Sequence, residues 1–462
     1  MKRQILITLT FVLMAIFSFA QTTTYDDVGV IVNDNSPASL AIGQYFMQAR
    51  NIPPQNIIHI QTLTDEVIDT TEFRNIQYQI KNYILQNQLQ DQLHYLVTTK
   101  GVPFDIVVDS CNIGPPHSWA KCSTVESELT LLLSADSTRI IQIGHVQNSW
   151  YKSTTHIDDA DTDLLLVSRL DGNTLAEVYA LIDRSGPGSY VDKELGQFVF
   201  DISYPRDSTT ANLFVNMMLP AIDTLTNRGW NAFLHSDSIV PTELNHVISY
   251  IGFIQKLVQE PLNFSWEKGS FAELIVPAPD FTFYDSLNYS NAMQLSTMIG
   301  EGCTAGAGYI HATFASLIMN YAVFFDRYTL QQEHPYNLAE SYYMATKTLS
   351  WMNLLVGDPK TTITTQGGSS VENPAISATF RLYPNPANGF VNIGINNPAT
   401  SEISIAIIDQ MGQVCLLHET PLTAGRNDVK LDISQLGAGL YVLQIEDRKN
   451  HTRQVQKLMV GR

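Results

Sequence analysis

Five polar residues stand directly behind short aliphatic runs: Asn33 after VGVIV, Lys100 after HYLVTT, Asp171 after LLLVSRL, and His235 and Asp237 at the end of WNAFLHSD. If those runs are parallel strands, the residues fall at carboxyl ends, where open α/β sheets collect their ligands. Lys100 with Asp171 there makes a charged pocket, and a deep cleft holding the pair with another titratable group would point to an enzyme rather than a binding face. The alternative for Lys100 and Asp171 is a pair of structural ion pairs and caps. Asp159, Asp161 and Asp163 have the alternating carboxylates of a calcium loop, but Leu164 and Leu170 stand where an EF-hand needs Gly and Glu. That leaves a looser calcium site or a solvated acidic loop.

Other constellations are missing. No Cys/His group has zinc spacing, no GxSxG elbow or Walker lysine loop occurs, and the glycines at 306–308 lack the third-Gly placement of a dinucleotide fingerprint. No cofactor is expected. Of the four cysteines, Cys111 and Cys122 flank the stiff Gly114-Pro115-Pro116 segment and are candidates for a disulfide, or for two free thiols under a loop. Cys303 and Cys415 read as small core residues.

The elements that must position these groups are legible as alternation. Apolar runs at 28–33, 94–100, 164–170, 197–203, 230–236 and 249–255 alternate with helical periodicity at 36–50, 72–89, 174–185, 211–228 and 338–351. Near-continuous apolar strands with amphipathic helices between them predict an α/β domain with a mostly parallel sheet, flanked by helices. Residues 365–380 read as a Gly/Ser/Pro-containing linker, so that 21–364 form the α/β domain. Residues 381–462 carry six short alternating runs between Gly turns, which predicts a small all-β, immunoglobulin-like sandwich.

Charge and targeting narrow the setting. The chain of 462 residues has a net charge of −18, and residues 381–462 hold eight basic against seven acidic residues, so the acidity belongs to the α/β part. Nucleic acid is excluded as a partner for want of basic stripes. Lys2 and Arg3, the apolar run Ile5–Phe19, and Ser18 and Ala20 ahead of Gln21 predict a signal peptide over 1–20. No other run is long enough to span a membrane, so the mature chain should carry no transmembrane segment.

LYPNPANG (382–389), IIDQMGQV (407–414), LDISQLGAGLYVLQI (431–445) and the terminal QKLMV (456–460) resemble the C-terminal sorting domain of type IX secretion cargo in the Bacteroidetes. The resemblance implies the type IX machinery as partner through residues 381–462, passage through the periplasm, and release or attachment at the outer cell surface. VIVNDNSPASLAIGQYFMQARNIPPQNII (30–58), TTKGVP (98–103), VSRLDG (167–172) and LVGDP (355–359) resemble an uncharacterised bacterial family of secreted α/β proteins, and distantly the gingipain-type cysteine peptidases with their caspase-like sheet. Such a peptidase needs a His and a Cys at neighbouring strand ends. The matching runs, 249–254 and 271–279, end in neither, and pairing Cys303 with His235, His246 or His311 requires another geometry. The expectation is a secreted or surface protein whose α/β domain binds a partner; a distantly peptidase-like hydrolase with an unrecognised site is the alternative.

Overall fold

The structure is a computed structural model that describes residues 23–107, 123–134, 146–160, 162–203, 208–237, 239–253, 262–275, 295–310, 315–365, 380–397, 400–409, 414–423, 425–447 and 452–461. The expected signal peptide, Cys111, Cys122, Asp161 and His311 lie outside these residues. The chain divides into two compact units, Met1–Thr365 and Gln366–Arg462.

Among the described residues the large sheet of the first unit has ten strands: β1 (Val28–Asn33), β2 (Ile57–Ile60), β3 (Tyr95–Thr99), β4 (Leu166–Leu170), β5 (Gln197–Asp201), β6 (Asn231–His235), β7 (Val247–Phe253), β8 (Trp266–Ile275), β9 (Ala305–Tyr309) and β10 (Asn353–Val356). They lie in the order β6-β5-β7-β8-β9-β10-β4-β3-β1-β2. β1–β4 are mutually parallel, and so are β5–β9. β10 is wedged between the two sets, antiparallel to β9 over four pairs and joined to β4 by one parallel-type pair, Val356 with Arg169.

Both sets begin at the same edge, as the helices between the strands reveal. The helices are α1 (Pro37–Arg50), α2 (Thr70–Gln86), α3 (Val125–Leu129), α4 (Leu175–Arg184), α5 (Ser208–Asn227), α6 (Leu295–Glu301), α7 (Tyr321–Tyr328) and α8 (Leu338–Ala345). Arg50, closing α1, bonds the carbonyls of Ile182 and Ser185 at the end of α4, and Arg184 bonds the carbonyl of Cys303 just ahead of β9. The chain enters β10 beside Thr124, near the end of β3, and leaves it for Asp358 and Lys360, which bond Tyr25 and Asp27 ahead of β1.

Local chemistry sets the helix ends. Ser36 caps α1 ahead of Pro37, and Asn51 ends it in the left-handed conformation. Asp69 caps α2, and Thr174 with Glu177 closes a capping box on α4. Along β1, Val28, Val30 and Val32 pack with Ile42 and Phe46 of α1, while Ile31 packs with Ile76 and Ile80 of α2 on the other face. Burial on both faces is why this strand reads as an unbroken apolar run.

Among its described residues the second unit has seven strands: β11 (Phe380–Asn388), β12 (Phe390–Asn397), β13 (Ser401–Ile408), β14 (Val414–Leu422), β15 (Gly425–Asp432), β16 (Gly439–Asp447) and β17 (Thr452–Val460). Their order is β14-β13-β16-β17-β11-β12-β15. Alternate residues, Ile393 and Ile395, Ile403, Ile405 and Ile407, Leu443 and Ile445, form its own core. β11 is a strand the sequence did not announce, since its two prolines argue against one; a register shift between Tyr383 and Asn388 accommodates them.

Candidate functional site

Asn33, Lys100 and Asp171 sit at the carboxyl ends of neighbouring β1, β3 and β4, and His235 and Asp237 at that of β6, six strand positions from β4. At ~4.8 Å per strand the two groups are about 29 Å apart, so the sheet makes two candidate sites, not one pocket. Each lies at a topological switch point. The chain turns from β1 to β2 on one side and returns to β3 on the other, and likewise from β5 to β6 and back to β7.

At the first site Lys100 and Asp171 do meet. Lys100 Nζ is 3.2 Å from Asp171 Oδ1, which also accepts from the Gly172 amide at 2.7 Å. Behind them lies Arg169, which projects from the same face of β4 as Asp171 because the two are two residues apart. Its guanidinium is buried and held on three sides: Nε donates to Asp171 Oδ2 at 2.6 Å, Nη1 to Glu126 Oε1 at 2.9 Å, and Nη2 to the Val102 carbonyl at 2.7 Å. Burial raises the Glu126 carboxyl above its ordinary range, against the opposing pull of Arg169. Glu66, half-buried beside Lys100, is raised by burial as well. The Lys100 side chain, 27% exposed, is the cation of this group that reaches solvent, whereas Arg169 is 2% exposed.

Asn33 does not turn its amide to this pair. It donates to the carbonyls of Leu63 and Gly101 and accepts from the amides of Asn35 and Thr62. It thereby ties the loops that leave three strands. Gly101 approaches α1 so closely, with φ +99°, that a Cβ there would meet Ser36 Oγ at 2.1 Å.

The second site centres on a carboxylate that sequence reasoning passed over. Asp201, the buried last residue of β5, accepts from Ser203 N (2.9 Å), Ser203 Oγ (2.6 Å) and His235 Nδ1 (3.1 Å) on one oxygen, and from Tyr250 Oη (2.7 Å) on the other. Its signal was available: a charged residue ending the apolar run QFVF. His235 Nε2 faces the other way, 3.5 Å from the exposed Asp237 carboxylate.

The remaining candidates separate. Asp159 and Asp163 are exposed. Asp158, also exposed, bonds His94 Nδ1 at 2.9 Å and stands with Asp27 near enough to share a cation. The Lys360 ammonium already occupies Asp27, at 2.6 and 2.7 Å from its two oxygens. The hydrogen bond to Asp158 raises the His94 pKa and lowers that of Asp158, so the pair holds a proton between them. Asp358 is buried under Tyr25 and Arg50, which makes it an anchor for the chain start.

Cys303 lies ahead of β9, at the edge opposite the strand ends that carry His235. It is fully buried, and desolvation pushes its thiol up to about 12. A nucleophilic thiol needs the reverse, exposure and a lowered pKa. His246 stands at the start of β7 and bonds Glu267 instead. This geometry does not support the expected likeness to gingipain-type peptidases, and the family model that matches the chain covers only its tail. Cys415 is exposed on β14.

Residues 381–461 match the family model of the secretion system C-terminal sorting domain. The tail is a type IX sorting domain. Among curated proteins none matches the chain. Solved structures similar to it include PorZ, a surface component of the type IX secretion system of Porphyromonas gingivalis, with 20% identity, 21% of this chain and 13% of that one covered, and a TM-score of 0.15. A β-glucosidase from intestinal bacteria shares 8% identity over 62% of this chain and 54% of its own, with a TM-score of 0.14; one from Listeria innocua shares 12% over 62% and 49%, also at 0.14. The chain thus spans less than two thirds of each, and at such TM-scores they bear on neither fold nor activity. Among the described residues no helix is long and apolar enough to cross a membrane.

Proposed function

We propose that the chain is a type IX secretion cargo whose α/β domain, residues 21–364, works as a binding module outside the cell. The match of residues 381–461 to the sorting domain carries this reading. On it, residues 1–20 direct export across the inner membrane, the sorting domain, an immunoglobulin-like sandwich, engages the secretion machinery from the periplasm, and 365–380 link the two. The ligand meets the carboxyl edge of β1, β3 and β4. There the Lys100 ammonium, fixed by Asp171, offers a donor to a carboxylate or hydroxyl acceptor. Arg169, bonded on three sides, supplies rigidity to the group.

Deleting residues 381–462 tests the export half. The expected outcome is a folded, signal-cleaved α/β domain retained inside the outer membrane, read by fractionation and immunoblotting. Undiminished extracellular protein would refute the reading.

A further inference from the structure

The geometry points to His235 as a general base at the second switch point, acting on neutral carboxylic esters. This goes beyond the binding role assigned above to the other end of the sheet. Asp201 is wholly buried, and four hydrogen bonds fix its carboxylate. One of them comes from His235 Nδ1, so the imidazole proton is held on Nδ1 and the lone pair is left on Nε2. Tyr250 remains a donor at physiological pH, because burial and the Asp201 charge keep its phenol well above the ordinary value. The His235 side chain is 17% exposed, and its Nε2 faces Asp237, whose side chain is 84% exposed. The base is therefore oriented from behind by Asp201 and faces the exposed Asp237 in front, at the carboxyl ends of β5 and β6.

Ser203 is not the nucleophile of a triad. Its Oγ lies 3.3 Å from Nδ1, on the Asp201 side of the ring, and is tied to the carboxylate. Water takes the nucleophile's place. Nε2 removes a proton from water as its oxygen bonds the acyl carbon; the tetrahedral adduct collapses with cleavage of the acyl–oxygen bond, and the imidazolium returns the proton to the departing alkoxide. Acid and alcohol are the products, and no oxidant or reductant enters. Asp201 stabilises the imidazolium and positions the ring. The two carboxylates flanking the imidazole repel phosphate and sulfate esters, which leaves uncharged esters as the substrate class.

The test uses the signal-cleaved full chain and p-nitrophenyl acetate. Saturable hydrolysis is expected, falling at least a hundredfold in kcat for His235→Gln, as loss of a general base requires. Asp201→Asn should lower kcat with KM held, and Cys303→Ala should change neither. Nitrogen NMR should show His235 protonated on Nδ1 and bare on Nε2 in the parent and no longer so in Asp201→Asn. Melting curves and circular dichroism establish that each variant is folded. Hydrolysis no faster than buffer, hydrolysis indifferent to His235→Gln, or an Nε2–H tautomer in the parent would overturn the assignment.

Discussion

Glu273 sits near the carboxyl end of β8, opposite Ile251 of β7 and Ala307 of β9, fully buried with the hydroxyls of Tyr309 and Tyr321 as polar neighbours. Burial pushes its carboxyl up to about 7 from 4.5. A carboxyl raised on folding favours the native state fully below the unfolded value and loses that advantage as pH climbs through the folded one. The window here is about pH 4.5 to 7. Replacing it by Gln removes this contribution, so the stability of Glu273→Gln relative to the parent should rise by ~3 kcal/mol between pH 4 and pH 8. Urea unfolding at the two pH values measures it, and a constant difference would contradict the assignment. Such a residue is illegible in the sequence, where FAELIV looks like any amphipathic run. Lys100, Asp171, His235 and Asp237 were legible because each follows an apolar run. Their partition into two sites was not, because nothing local encodes the order of strands. Asp201 and Arg169 were overlooked for a related reason: a charge within or ending a strand reads as solvent-facing until the covering helix is known.

At the scale of elements, α1 illustrates how contact outranks propensity. Its boundaries follow from Ser36, Pro37 and Asn51, and the periodicity of 36–50 places it to within a residue. Gly43 in its middle looks like a defect worth about 1 kcal/mol of helix stability. It is the point of closest approach to the sheet: a Cβ there would lie 2.3 Å from Val32 Cγ1 of β1. Gly43→Ala should accordingly lower the melting temperature despite its better helix propensity, and Val32→Ala in the same chain should restore part of the loss. Calorimetry of the two single variants and the double variant measures this coupling, and a Gly43→Ala protein melting at or above the parent would disprove the close approach. The elements hardest to read were those whose reason is tertiary. β10 is four buried residues, Asn353–Val356, inserted between two parallel sets, and no periodicity of its own marks its place.

At the scale of the molecule, the question is whether sorting belongs to the tail alone or needs the α/β unit that precedes it. The tail has what independence requires. Its β11–β17 pair among themselves, and its core of alternating Ile, Leu and Val side chains is its own. Its charge is nearly balanced while the rest of the chain holds the acidic excess, so an address read by the secretion machinery need not involve the acidic domain. A chain of about 100 residues is large enough to fold on such a core. Residues 366–462 joined behind a signal peptide and an unrelated folded reporter should therefore carry that reporter to the cell surface or medium of a type IX-competent host. Replacing Ile405 by Asp within the fusion places a charge at the centre of the core and should abolish the export. Fractionation of reporter fluorescence gives the readout in both cases. A reporter retained inside although the fused tail resists proteolysis would show that the address extends into the α/β unit, and export undiminished by Ile405→Asp would show that the signal is read from a linear motif with no need of the folded sheet.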